Sequence, residues 1–171
     1  MRMQHANYIH YDKRASASAD TMASPASLWK VVSAIGGDNR YYYLNSLWRL
    51  RELLDGFVGG PGLRHTRQTT GDVHPGDRID SWEVISVKPE RRLALALGMR
   101  APGSGVLEFD IAPQYGRSTR ITATAYWHPD GLLGLMYWFS LEPAHRVIFK
   151  GLTREICQRA EALERQNANK A

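Results

Sequence analysis

Among the side chains of this 171-residue sequence that could move protons, three are the leading candidates: Asp80, Glu108 and His145. A histidine titrates near neutrality, and burial or a second carboxylate can bring an Asp or Glu there, so the trio could supply a general acid and a general base. Asp80 stands two residues before Trp82. That alternation would put a carboxylate and an indole on one face of a strand. Glu108 alternates with Leu107 and Phe109 and takes the opposite face from them. His145 follows Glu142 by about one helical turn, with no partner at a fixed spacing. The same residues also suit plainer roles, as solvated or salt-bridged strand carboxylates and a hydrogen-bonded structural histidine.

Other catalytic signatures are missing. The six histidines include no His-Glu-x-x-His helix and no close Cys/His cluster, so no metal is expected. No Gly-x-Ser-x-Gly elbow is present. Gly59-Gly60-Pro61-Gly62 lacks the Lys-Ser/Thr of a phosphate loop and follows a helical pattern rather than a strand, so no nucleotide cofactor is expected either. Cys157, the lone cysteine, falls on the apolar side of a helix and reads as a small core residue.

The elements that must position these groups follow from periodicity. Residues 8–20 alternate loosely and predict a first strand. Ser24-Pro25 opens a helix, serine as cap and proline at the first position, with Leu28, Trp29, Val32 and Ile35 as its buried face. A second helix, bracketed by Gly36-Gly37 and Gly59-Gly60-Pro61-Gly62, carries Leu44, Leu47, Trp48, Leu50, Leu53, Leu54 and Phe57 on one broad stripe. Period-two patterns then predict strands over 64–70, 78–87, 93–100, 106–111 and 119–128.

From Gly131 to about Glu164 the chain is helical, apolar nearly all round before Pro143 and amphipathic after it. Proline there predicts a kink or a restart. The first turns are expected to be a buried core helix with some contact to a second copy of the chain, a homodimer, rather than a membrane-surface helix. Strands grouped together between helices mean an α+β fold, one domain over 1–171 with frayed ends at about 1–6 and 166–171. A curved antiparallel sheet around the long terminal helix leaves a gap between them. The residues expected to line that gap and touch a ligand are Trp48, Asp80, Trp82, Glu108, Trp127, Tyr137, Trp138 and His145.

The glycine-bracketed helix, the stretch from Gly76 to Val84, Leu107-Glu108-Phe109, and the residues from Gly131 to Trp138 and from His145 to Gly151 together resemble the domain of unknown function 2867 family. The resemblance covers roughly residues 20–155. It implies a START-like, helix-grip (SRPBCC) ligand-binding fold; the sheet-plus-helix architecture, the five Trp and eight Tyr and the missing catalytic signatures then point to a hydrophobic small-molecule ligand, lipid-like, polyketide-like or aromatic. It also implies two alternatives: cyclase, dehydratase or hydrolase chemistry of the kind seen in START-like relatives, using Asp80, Glu108 or His145, or service as an accessory module to a separate NAD(P)-binding oxidoreductase. Members of the family are often fused to such a cofactor domain, and this sequence carries none.

Composition narrows the partners. The net charge is +5, but the basic residues are spread along the chain, and no nucleic-acid module is recognisable. No apolar run approaches the ~20 residues needed to cross a bilayer, so no stable membrane insertion is expected. A single cysteine and no signal-type N-terminus make a cytoplasmic location the expectation.

Overall fold

The computed structural model describes residues 7–36, 72–98 and 101–170. The second helix and the strand over 64–70, read from the sequence above, lie outside the described residues, as does Trp48.

Alternation of Ala with Ser, Arg and Asp builds strand β1 (Lys13–Thr21), preceded by a 3-10 turn at Tyr8–His10 where the sequence pattern had suggested more strand. Helix α1 (Pro25–Ser33) starts as its residues dictate: Ser24 Oγ accepts from the Ser27 amide at 3.3 Å, with Pro25 in the first turn. Strands β2 (Arg78–Ile79), β3 (Trp82–Lys88), β4 (Arg92–Leu97), β5 (Gly103–Pro113) and β6 (Thr119–Pro129) follow, and α2 (Gly131–Ala168) closes the chain. At 38 residues α2 is about 57 Å long. It runs through Pro143 without interruption and continues four residues past the expected end.

The sheet is antiparallel throughout, in the order β1-β6-β5-β4-β3-β2. The first strand therefore pairs with the last, Lys13 opposite Trp127 and Thr21 opposite Thr119. One sheet face, carrying Leu93, Leu95, Leu107, Phe109 and Ile121, meets Phe149, Leu152 and Ile156 of α2, all essentially inaccessible. Burying each such side chain is worth about 1.5–3 kcal/mol, so this layer is the main source of stability. On the other face Ala94, Ala96 and Val106 form a smaller cluster under Tyr8.

Two irregularities redirect side chains. The single strand expected over 78–87 is broken at Asp80-Ser81, where Asp80 adopts φ 52°, a left-handed conformation that Asp tolerates better than most residues. The chain reverses there, so Asp80 and Trp82 do not share a strand face. A bulge between Val84 and Ser86 then brings both Val84 and Val87 opposite leucines of β4 and turns Ile85 to the outer cluster.

The far end of α2 holds the β1–α1 corner. Thr21 Oγ1 donates to Glu161 at 2.5 Å, and the Ser24 amide donates to Glu164 at 2.7 Å. The hydroxyl and amide of Ser24 hold the Glu164 carboxyl below its ordinary value.

Candidate functional site

Helical spacing builds one wall of a cleft. Trp138, His145 and Phe149 are seven and four residues apart and so share a face of α2. The His145 ring stacks on Phe149 at 5.4 Å with an 8° interplanar angle, and Trp138 lies 5.3 Å from it on the other side. Nδ1 of His145 is shut off from solvent.

Strand pairing builds the opposite wall. Trp127 lies across from Gly105, and its indole covers the backbone where a side chain is missing: a Cβ added to Gly105 would sit 3.2 Å from the ring. The indole N–H donates to the Gly134 carbonyl at 3.2 Å, tying β6 to the first turn of α2. Gly134 is the residue that lets the helix come this close, because a Cβ there would meet the Pro102 carbonyl oxygen at 2.1 Å. Tyr137 leans on Trp127 at 5.3 Å.

Trp82, Leu97, Trp127, Tyr137, Trp138, Leu141, His145 and Phe149 thus surround a cleft between the sheet and α2, partly open to solvent. The free space among them is about 40 Å³, room for roughly three water molecules. A larger occupant has to move side chains, and half-buried Tyr137 and Leu141 are the ones placed to move. Among the described residues lining the cleft there is no Asp, Glu, Lys or Arg. The polar side chains of its described lining are His145, Tyr126, Tyr137 and the tryptophans, with the Trp127 N–H donated to Gly134 and the Tyr126 hydroxyl to Glu108. Such a surface holds a ligand by apolar burial and aromatic contact, with few hydrogen bonds to orient it.

Of the eight residues expected to line the gap, Trp82, Trp127, Tyr137, Trp138 and His145 are brought together here. Asp80 is not; it occupies the β2–β3 turn, near Gly36. Glu108 points the other way. Since Leu107 and Phe109 face α2, Glu108 is directed to the outer face of the sheet, 7% exposed, where Tyr8 and Tyr126 donate to its carboxylate and Arg92 Nε lies 3.5 Å away. Burial, then the hydrogen bond to Glu108 and its charge, push the Tyr8 hydroxyl well above the ordinary phenol range. Burial followed by the charge of Glu108 does the same, less strongly, for Tyr126. The structure therefore places the three proton-transfer candidates differently: His145 at the cleft, Glu108 on the outer face of the sheet and Asp80 in the β2–β3 turn.

Phe149 and Leu141 belong to the cleft and were not singled out from sequence. Phe149 was findable, lying one turn beyond His145 on the same face. Tyr8 was not, because its partner is 100 residues away. No three His, Cys, Asp or Glu side chains among the described residues converge to hold a metal ion.

Solved structures share this architecture. A START superfamily protein from Mycobacterium smegmatis matches with a TM-score of 0.53 at 14% identity, over 88% of this chain and 98% of that one. TTHA0849 from Thermus thermophilus gives 0.51 at 11%, over 88% and 99%. The di-domain ARO/CYC BexL of the BE-7585A biosynthetic pathway gives 0.53 at 9%, over 84% of this chain and 46% of that one. At these identities the likeness speaks for the fold, a START-like helix-grip. No curated protein matches the sequence. The model of one family, described as "Protein of unknown function (DUF2867)", matches residues 5–152, and the chain belongs to that family.

Proposed function

We propose that this protein binds a hydrophobic small molecule, lipid-like, polyketide-like or aromatic, in the cleft between the sheet and α2. The observation that carries this reading is the lining itself: the rings of Trp82, Trp127, Tyr137, Trp138, His145 and Phe149, with no Asp, Glu, Lys or Arg among the described lining residues. A START superfamily protein and an ARO/CYC di-domain among the structures of the same fold support a ligand-binding role over a purely structural one. Three tryptophans at the cleft make the test direct. Titration with a hydrophobic fluorophore, followed by native mass spectrometry of the protein as purified, should show a saturable site and a bound or displaceable small molecule. A tryptophan signal that never changes and a spectrum of bare protein would sink the reading.

Binding rather than catalysis is favoured by the dispersal of Asp80, Glu108 and His145. Among the described residues only His145 of the three lines the cleft, so acid–base chemistry there would have to draw its second group from outside the trio.

A further inference from the structure

The first half of α2 also presents apolar side chains away from the core. Leu132 and Leu133 are each 73% exposed, Met136 61%, Phe139 53% and Val147 57%. At 100° per residue, positions 132, 136, 139 and 147 fall within about 80° of one another. They form one outward stripe roughly 22 Å long. Contiguous apolar surface of that kind marks a contact rather than ordinary solvent-facing helix.

Its border carries charges of both signs, with basic side chains beside Phe139 and beyond Val147. The Lys13 ammonium lies 5.5 Å from the centre of the Phe139 ring. Beyond Val147 the same helix face continues with exposed Lys150 and Arg154. The neighbouring carboxylates Asp12 and Glu142 are engaged by His128 at 2.9 Å and Arg146 at 2.7 Å, while Asp130 precedes the stripe.

We infer that this stripe is a docking surface for an anionic lipid bilayer, with Leu132, Leu133, Met136 and Phe139 entering the interfacial layer and Lys13, Lys150 and Arg154 meeting headgroup phosphates. A second copy of the chain fits less well. Two-fold pairing centred on Phe139 would bring the two Lys13 ammonium groups toward each other across the interface. The contact is peripheral, since no helix among the described residues is long and apolar enough to cross a membrane. It stands independently of what the cleft binds.

Flotation of the full chain with vesicles of phosphatidylcholine mixed with phosphatidylserine, and with phosphatidylcholine alone, tests this. The chain should float with the mixed vesicles, float less with the neutral ones, and be released by high salt. Phe139→Glu and Met136→Glu replace exposed side chains and should cut the bound fraction about tenfold. Lys13→Glu leaves every apolar residue in place and should weaken binding to the mixed vesicles alone. The inference is overturned if the chain stays in solution with both vesicle types, or if Phe139→Glu floats as well as the parent. It is equally overturned if the parent is a dimer in solution that Phe139→Glu dissociates, which would give the stripe to a second copy.

Discussion

Tyr8 donates its phenolic hydrogen to Glu108, joining the start of the chain to the middle of the sheet. The bond pins the Tyr8–His10 turn over Ala94, Ala96 and Val106 on the face that α2 does not cover. A carboxylate that looks catalytic in the sequence is thereby an anchor. Two phenols and a guanidinium surround it.

Replacing Tyr8 by Phe keeps the ring and removes the donor. A buried hydrogen bond to a charged acceptor contributes about 1.5–3 kcal/mol, so urea denaturation should show a loss of that size. The folded protein also keeps the Tyr8 proton to a higher pH than the unfolded chain, whose value is near 10.0. Stability is accordingly whole below pH 10 and falls as pH climbs beyond it. Tyr8→Phe should reduce that alkaline fall without abolishing it, because Tyr11 and Tyr126 are raised as well.

Cleft and anchor should separate cleanly by mutation. Tyr137→Ala removes a half-buried ring from the cleft wall and should weaken fluorophore affinity by about tenfold, the worth of a partly buried aromatic. Glu108→Gln should leave that affinity unchanged and lower the melting temperature. Equal effects of both on affinity would mean that the two faces of the sheet are not independent.

Gly134→Ala should destabilise despite alanine's higher helix propensity. The added methyl would meet backbone atoms of Pro102 and Pro129 at 2.1 and 2.9 Å, and backbone cannot swing aside. The propensity gain of about 1 kcal/mol is smaller than the ~1–3 kcal/mol of overpacking. Calorimetry should show a lower midpoint, and the tryptophan emission should shift as the Trp127–Gly134 bond is lost.

Cys157 should resist thiol reagents in the folded protein. Burial, then the nearby charges of Glu161 and Asp20, raise its thiol from 9.0 to about 11. It is protonated and inaccessible at neutral pH, so labelling should proceed only as fast as the protein opens, and at once in denaturant. Its raised value adds stability that is complete below pH 9.0 and is lost as pH rises through about 11.

Local rules carried much of this architecture. The Leu93-Ala94-Leu95-Ala96 and Leu107-Glu108-Phe109 alternations, the Ser24-Pro25 start of α1 and the long helix from Gly131 all follow from period and cap. The cleft's helical wall was legible for the same reason, since Trp138 and His145 stand seven residues apart. What escaped depended on something no local window holds. The break after Ile79 rests on the backbone angle of Asp80 inside an otherwise strand-like run, and the bulge at Ile85 on the partner strand's register. The direction of Glu108 was set by which face α2 covers, and its partner Tyr8 is supplied from across the chain.

The pairing of β1 with β6 has a consequence for synthesis. Lys13 leaves the ribosome more than a hundred residues before its partner Trp127, a wait of roughly 5–20 s at ordinary elongation rates. Through that time β1 is an unclaimed edge. Its sequence, Lys-Arg-Ala-Ser-Ala-Ser-Ala-Asp-Thr, suits the delay: it is charged toward both ends of the run and carries nothing larger than alanine among its apolar residues. Among the described strands, the one that waits longest for its partner thus carries the charges and small side chains that discourage pairing with a neighbouring nascent chain.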